Sequence, residues 1–322
     1  MKKIRILQFA VLPPPIGGVS VHVQRLIDRC STDDTIYCEI YDYSRDKNPL
    51  NFFWKLYCAD LIHIHLSNKT VRKQLVRLLK FFGKKSITTF HGQYDFEDKR
   101  DIYALLHSTK SIVLNLFSIN NAKKVGITNV VLGGAFIPPS ENKIKPLRQQ
   151  VMNQVTNFSS NYELTFCTNA SSYVLDEFGK EIYMGTELLR FFRNHPQWGL
   201  IFSDSSATYK DYFNEKGVDI PDNVLLISEK HEFVNIIKYS DAFIRATTMD
   251  GDSLSVKESL YYKVPVFATN VVDRPAGTIV FENVEELADI FKNINCYNSP
   301  INEIKDNYDA IKDIYISLFN SY

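Results

Sequence analysis

The sequence predicts an α/β protein built from two Rossmann-like halves. Short apolar runs alternate with stretches of helical period through the first part of the chain, and the alternation begins again after a double proline, Pro138-Pro139. Strands alternating with helices imply parallel pairing with helices on both faces of a sheet. A length of 322 residues suits two domains of ordinary size, each with its own core.

In the first half, Ile4–Ala10 reads as a strand, and Val19–Cys30 has helical spacing at Val19, Val23, Leu26 and Ile27. Strand candidates follow at Tyr37–Tyr43 and Asp60–His65, then a helix over Lys69–Phe82, then strands at Ser86–Phe90, Ser111–Asn115 and Val130–Leu132. Phe136–Ser140 reads as a hinge, stiffened where its prolines remove two backbone donors. Residues Lys143–Phe158 have a helical pattern. The second half offers strands at Glu163–Thr168, Trp198–Ser203, Val224–Ile227, Ala242–Ala246 and Val266–Ala268. Helices are expected at Tyr183–Phe192, Ala207–Lys216, Phe233–Tyr239 and Ser253–Tyr262. The tail Ile304–Phe319 is helical, and its simplest role is to cap the second domain.

Composition narrows the function. Lys plus Arg equals Asp plus Glu at 37 each, which weakens a reading as a general nucleic-acid binder. Apolar residues at 45% and charged residues at 23% are ordinary for a globular chain. Cys30, Cys38, Cys58, Cys167 and Cys296 are odd in number, widely spaced and without a CxxC, so reduced thiols and a cytoplasmic setting are expected. The apolar run Ile4–Leu12 is short and ends in prolines, so it reads as a buried strand rather than a leader. No run reaches the 18 or so apolar residues that a spanning helix needs.

The stretch Tyr239–Pro275 carries the most chemistry. It reads as a buried strand, a turn at Thr247–Asp252, and a helix that Ser253 or Ser255 can cap. The first turn of such a helix has free backbone N–H groups and the positive end of the dipole, which favour an anion. In open α/β sheets ligands bind at the carboxyl ends of strands, so a diphosphate fits here. Gly251 permits close backbone approach, and Glu258 lies further along the helix where it can accept from ribose hydroxyls.

These residues resemble family 4 of the GT-B glycosyltransferases, especially bacterial polysaccharide enzymes. The family has two acids separated by seven residues with a glycine after the first; Asp250, Gly251 and Glu258 match that pattern. The resemblance implies that Asp250 contacts the donor sugar, that Glu258 contacts the ribose, and that the amides of Asp252, Ser253 and Leu254 hold the diphosphate. Asp250 stands where the family usually has Glu, one methylene longer. Ile16-Gly17-Gly18-Val19 matches the family's Gly-Gly loop, placing Gly17 and Gly18 against the donor phosphate; alone, it is a plain turn. Asp60–His65 matches an HxH-like strand end, and Thr89-Phe90-His91-Gly92 a TxHG-type motif whose His touches the donor sugar; on its own residues, His91 reads equally as a satisfied strand-end histidine. The family's Arg and Lys after the first strand of the second domain are missing from Phe166–Ser171, which leaves Lys180 and Arg245 as substitutes for the diphosphate.

The resemblance thus implies a GT-B fold: two Rossmann-like parallel-sheet domains facing a cleft, with a C-terminal helix crossing back to the first. Residues 1–138 with the helix 306–322 form the acceptor domain, and 139–305 the donor domain. The implied reaction is retaining transfer from a nucleotide-diphosphate sugar, a UDP-sugar by family habit, to a glycan or polyprenyl-linked glycan. The donor is a co-substrate, no cofactor is implied, and no nucleic acid is a partner. A nucleotide-sugar epimerase and a catalytically silent binding protein remain open alternatives. Asp250-Gly251-Asp252 is literally a DxD, a pattern that elsewhere holds Mg²⁺ or Mn²⁺, but at a helix start in a two-domain chain it reads as part of the helix site. His63 and His65 share one face of a strand; a metal needs a third ligand, none is evident at motif spacing, and no metal is expected. Finally, 71–85 carries Arg72, Lys73, Arg77, Lys80, Lys84 and Lys85 beside an apolar side of Leu75, Leu78, Leu79 and Phe82. It reads as a crossover helix with a solvated basic face, and it is also a candidate for peripheral contact with anionic lipid.

Overall fold

The computed structural model of the chain describes residues 3–13, 17–92, 95–293 and 304–321. The chain divides into two compact units: Met1–Ser140 with Lys305–Tyr322, and Glu141–Ile304.

The first unit is a six-stranded parallel sheet of β1 (Ile4–Ala10), β2 (Ile36–Asp42), β3 (Leu61–Ile64), β4 (Ser86–Phe90), β5 (Lys110–Val113) and β6 (Val130–Leu132). The spatial order is β2-β1-β3-β4-β5-β6, so the direction of winding reverses between β1 and β3. One face packs Leu56 of α2 (Pro49–Cys58), Leu75 and Leu79 of α3 (Lys69–Phe81), Leu105 of α4 (Lys99–His107) and Ala122 of α5 (Leu116–Lys124). The other face packs Leu26 and Cys30 of α1 (Gly18–Ser31) together with the chain's final helix.

The second unit repeats the plan with β7 (Leu164–Asn169), β8 (Trp198–Ser203), β9 (Val224–Ile227), β10 (Ala242–Arg245), β11 (Val266–Thr269) and β12 (Thr278–Phe281). All its pairings are parallel, in the order β12-β11-β10-β7-β8-β9, which places the reversal between β7 and β10. An aromatic core fills one face, where Phe166 stacks on Phe291 with ring centroids 3.8 Å apart. The other face is mainly aliphatic, with Val151 and Val155 of α6 (Gln149–Ser159) against Ile201 and Phe243.

Three expectations are corrected here. The helix read from Lys143 begins only at Gln149, after a short 3-10 turn at Glu141–Lys143; Pro146 keeps the residue before it out of the helical region. The tail helix, α12 (Tyr308–Asn320) after α7 (Gly185–Arg193), α8 (Thr208–Lys216), α9 (Phe233–Ile237), α10 (Leu254–Tyr261) and α11 (Leu287–Lys292), does not cap the second unit. It lies on the first, as the resemblance implies, where Tyr308, Ile311 and Tyr315 pack with Ile4, Ile6 and Leu61. The thiols are not all free: the last turn of α1 lies over β2 and pairs Cys30 with Cys38 at a Cα separation of 5.8 Å, within bridging reach. Cys58 and Cys167 are free, and Cys296 lies outside the described residues.

Candidate functional site

The carboxyl ends of β7 and β10, at the reversal of the second sheet, hold a buried ionic cluster. Arg245, the last residue of β10, donates to Asp250 from Nε (3.0 Å) and Nη2 (2.9 Å). Arg274 donates to the same carboxylate from Nη1 at 2.6 Å, and its Nε is fixed on the carbonyl of Thr269 at the end of β11. The Gly251 N–H adds a fourth bond at 3.0 Å. All three side chains are at most one-tenth exposed. Burial pushes the Asp250 carboxyl up, but the charges and hydrogen bonds of Arg245 and Arg274 outweigh it and hold the group below its ordinary value. Two guanidiniums against one carboxylate leave a local charge of +1. Arg274 Nη2 is buried and has no partner among the described residues.

This bears on two expectations. Arg245, expected at the diphosphate, has both its donors that face Asp250 engaged by that carboxylate. Asp250, expected at the donor sugar, stands ion-paired, its oxygens accepting from two arginines. Arg274 was missed by sequence reasoning. The signal was present as Asp273-Arg274-Pro275 just beyond a strand end, within the stretch already singled out.

Helix α10 opens beside the cluster. Ser253 is its N-cap, with Oγ accepting from Val256 N–H at 3.5 Å. The N–H groups of Leu254 and Ser255 find no protein acceptor among the described residues. Glu258 is buried one turn further on. Asp252 is ion-paired with Lys257. Both carboxylates of the DxD-like run therefore already face cations. Lys180 stays exposed in the turn closed by Asp176, and that turn is tied to the β10–α10 loop through Thr248 N–H to Ile182 O at 2.9 Å.

The first unit holds a second polar cluster, again at its reversal. Gly17 caps α1 with extended backbone, and a Cβ at Gly17 or Gly18 would meet nothing within 4 Å among the described residues; Ile16 lies outside them. From α1, His22 hydrogen-bonds the Ala135 carbonyl through Nδ1 at 2.6 Å. His65 Nε2 meets Gln8 Oε1 at 2.9 Å, and His65 Nδ1 meets His91 Nε2 at 2.9 Å. Gln8 donates to the Tyr315 hydroxyl at 3.0 Å, which bonds His63 Nδ1 at 2.6 Å, and His63 Nε2 bonds Thr89 at 2.7 Å. Burial, with mutual repulsion added, holds His63, His65 and His91 well below the ordinary imidazole value, so all three are neutral. His91 is half-buried and lines a cavity of about 200 Å³ with Lys69, Arg72, Phe90, Gly92 and Asp101.

The basic stretch 71–85 is only partly a solvated face. Arg72 is buried in an ion pair with Asp101, Lys84 donates to the carbonyls of Tyr57 and Ala59, and Lys85 donates to the Leu318 carbonyl. Phe82, expected on the packed side, is exposed, as is Phe81.

No family model matches the sequence, and no curated protein matches it. Solved structures do match. Anabaena HepE in complex with UDP-glucose aligns with a TM-score of 0.63 at 12% identity, over 98% of this chain and 97% of that one. Sucrose-phosphate synthase from Thermosynechococcus elongatus gives 0.67 at 13%, over 99% and 100%. UDP-GlcNAc 2-epimerase from Neisseria meningitidis bound to UDP-GlcNAc gives 0.63 at 15%, over 99% and 100%. The chain has the GT-B fold. At these identities the likeness is one of fold, and a synthase and an epimerase share it equally. Among the described residues, no helix is long and apolar enough to cross a membrane.

Proposed function

We propose that the chain is a retaining glycosyltransferase that takes a UDP-sugar as donor and a glycan or lipid-linked glycan as acceptor. Residues 141–304 would be the donor unit, and 1–140 with α12 the acceptor unit. The observation that carries the reading is the Arg245–Asp250–Arg274 cluster at the reversal of the second sheet, beside the open first turn of α10. Its surplus positive charge, the unpartnered Arg274 Nη2 and the amides of Leu254 and Ser255 all suit a leaving diphosphate. In this reading Asp250 orients the two guanidiniums rather than touching the sugar. Arg274 replaces the Arg and Lys that the resemblance leads one to expect. Glu258, buried on α10, is the proposed ribose contact. His91 is proposed as a sugar contact.

An epimerase would need free acid and base carboxylates near the sugar. Asp250 and Asp252 are both ion-paired, which favours the transferase. A lipid-bound acceptor is supported by the surface of the first unit. Leu50, Trp54 and Tyr57 of α2 and Phe81 at the end of α3 are 66–81% exposed, and Phe53 of α2 lies against Phe82, just past α3, with ring centroids 6.2 Å apart. Arg77 and Lys80 are exposed on α3. Aromatic rings beside cations suit the interface of an anionic bilayer.

The deciding experiment mixes the protein with UDP-sugars, alone and with glycan acceptors. Nucleotide released only when acceptor is present, with retained anomeric configuration in the product, is the expected result. Isomerisation of the donor without acceptor would establish the epimerase instead. Donor binding without any turnover on an acceptor pool would leave only a binding protein.

A further inference from the structure

We propose that His22, His65 and His91 form a binding site for a divalent transition-metal ion of the zinc class. One ring nitrogen from each residue lies within 4.8 Å of the other two. His22 comes from the second turn of α1, His65 from just past the end of β3, and His91 from just past the end of β4. Parallel strands bring the last two to the same edge of the sheet, and the helix following β1 brings the first over them. The rings sit 5.0–5.4 Å apart, centroid to centroid.

The outer shell is the stronger argument. A metal-bound imidazole usually donates its other ring N–H to a carbonyl or similar acceptor, which fixes the tautomer and aims the bare nitrogen. His22 Nδ1 meets the Ala135 carbonyl, an acceptor only, so Nδ1 carries the proton and Nε2 is the lone pair. His65 Nε2 meets Gln8 Oε1, so its Nδ1 is the lone pair. Gln8 is itself held in that orientation by the bond from its amide nitrogen to the Tyr315 hydroxyl. Two of the three ligands are thus pre-set by acceptors on β1 and on the segment after β6.

His91 completes the set with one proton shift. Its Nε2–H fills the lone pair of His65 at 2.9 Å. Moving that proton to its own Nδ1 frees Nε2 as the third ligand, with no net proton released. Metal–nitrogen bonds of about 2.0–2.1 Å in a tetrahedral set require nitrogens about 3.3 Å apart. The His65–His91 pair need open by only a few tenths of an ångström. Three imidazoles without a carboxylate among them select zinc and its neighbours over Mg²⁺ and Ca²⁺, which take oxygen ligands. The cavity beside His91 supplies access and room for a water or an oxygen of a bound molecule as the fourth ligand.

The proposal does not depend on glycosyl transfer, because it is read by metal binding. Chelator-treated protein is titrated with Co²⁺ in the visible region, with Zn²⁺ as competitor. Tetrahedral cobalt bands that saturate at one equivalent per chain and vanish on adding Zn²⁺ are expected. His91→Gln lies at a half-buried strand end and should fold; it is expected to weaken the site by at least about 100-fold. Gln8→Leu, which removes only the outer acceptor, should weaken it about 10- to 100-fold. Melting curves of the metal-free variants control for folding, and X-ray absorption on the zinc-loaded wild type needs no variant. Three imidazole nitrogens at about 2.0–2.1 Å support the site. Absence of saturable binding, a first shell of oxygen alone, or unchanged affinity in folded His91→Gln and Gln8→Leu overturns it.

Discussion

Replacing Asp250 by Asn tests whether the cluster at the end of β10 is a desolvated ionic unit. The carboxylate accepts four hydrogen bonds, from Arg245 Nε and Nη2, Arg274 Nη1 and Gly251 N. An Asn side chain has the same shape but no charge, and its amide NH₂ would point at a guanidinium N–H. Two cations, with side chains 10% and 3% exposed, would lose their counter-ion. Breaking a buried pair in this way costs about 3–5 kcal/mol. For a folding unit of this size each kcal/mol moves the melting point by about 2–4 °C, so a fall of about 6–20 °C is expected at neutral pH by calorimetry. The pH dependence has a definite sign. Asp250 is held below its ordinary value, so the stability it contributes is fully present above the unfolded value of about 3.9 and is lost as pH falls through the lower folded value. Wild type and variant should therefore stay apart down to about pH 4 and converge only below it. Inorganic pyrophosphate should raise the melting point of the variant more than that of wild type, since it offers the charge that was removed. A variant melting within about 1 °C of wild type would mean that the cluster is solvated, and the argument from its buried charge would fail.

Two further outcomes separate parts of the proposed function. Arg274→Ala removes the partnerless Nη2 and one of the two guanidiniums; loss of a charge-assisted bond of about 1.5–3 kcal/mol weakens UDP binding about 10- to 150-fold, measured by titration calorimetry, and unchanged affinity would remove Arg274 from the donor site. Trp54→Ala with Phe81→Ala should abolish co-sedimentation with vesicles rich in anionic lipid while leaving the melting point unchanged, because both rings are mostly exposed; retention on vesicles would remove α2 from the membrane contact.

The sheets were legible because parallel strands buried on both faces read as mostly apolar runs, as in Ile4–Ala10 and Ala242–Arg245. Helix α2 was not legible, because Trp54 and Tyr57 face outward and spoil the apolar period that would mark a packed helix. The cap at Ser253 and the buried Glu258 could be read locally, since both lie within one short helix. The partners of Asp250 could be read only in part. Arg245 is five residues away, but Arg274 arrives from the end of the neighbouring strand, 24 residues on. The histidines show the same limit. His63 and His65 announce themselves by strand period, whereas His22 reaches them only because α1 folds back over the sheet.

A buried cation pair around one carboxylate is a poor way to stabilise a fold, and that points to its use. Arg274 Nη2 has no partner among the described residues, a cost of about 1–3 kcal/mol if it stays dry. Apolar residues of similar volume would fill the same space without that cost, and such replacements of buried ionic triads are often neutral or stabilising by about 1–4 kcal/mol. The triple variant Arg245→Met, Asp250→Leu, Arg274→Met should therefore melt at or above the wild-type temperature, in contrast to Asp250→Asn alone. Its affinity for UDP should fall by more than that of Arg274→Ala, since both guanidiniums are gone. A cluster kept for packing would give the reverse: a destabilised triple variant with UDP affinity intact. Melting curves and UDP titrations on wild type and these three variants decide between the two, because stability and binding are expected to move in opposite directions only if the charges serve the ligand.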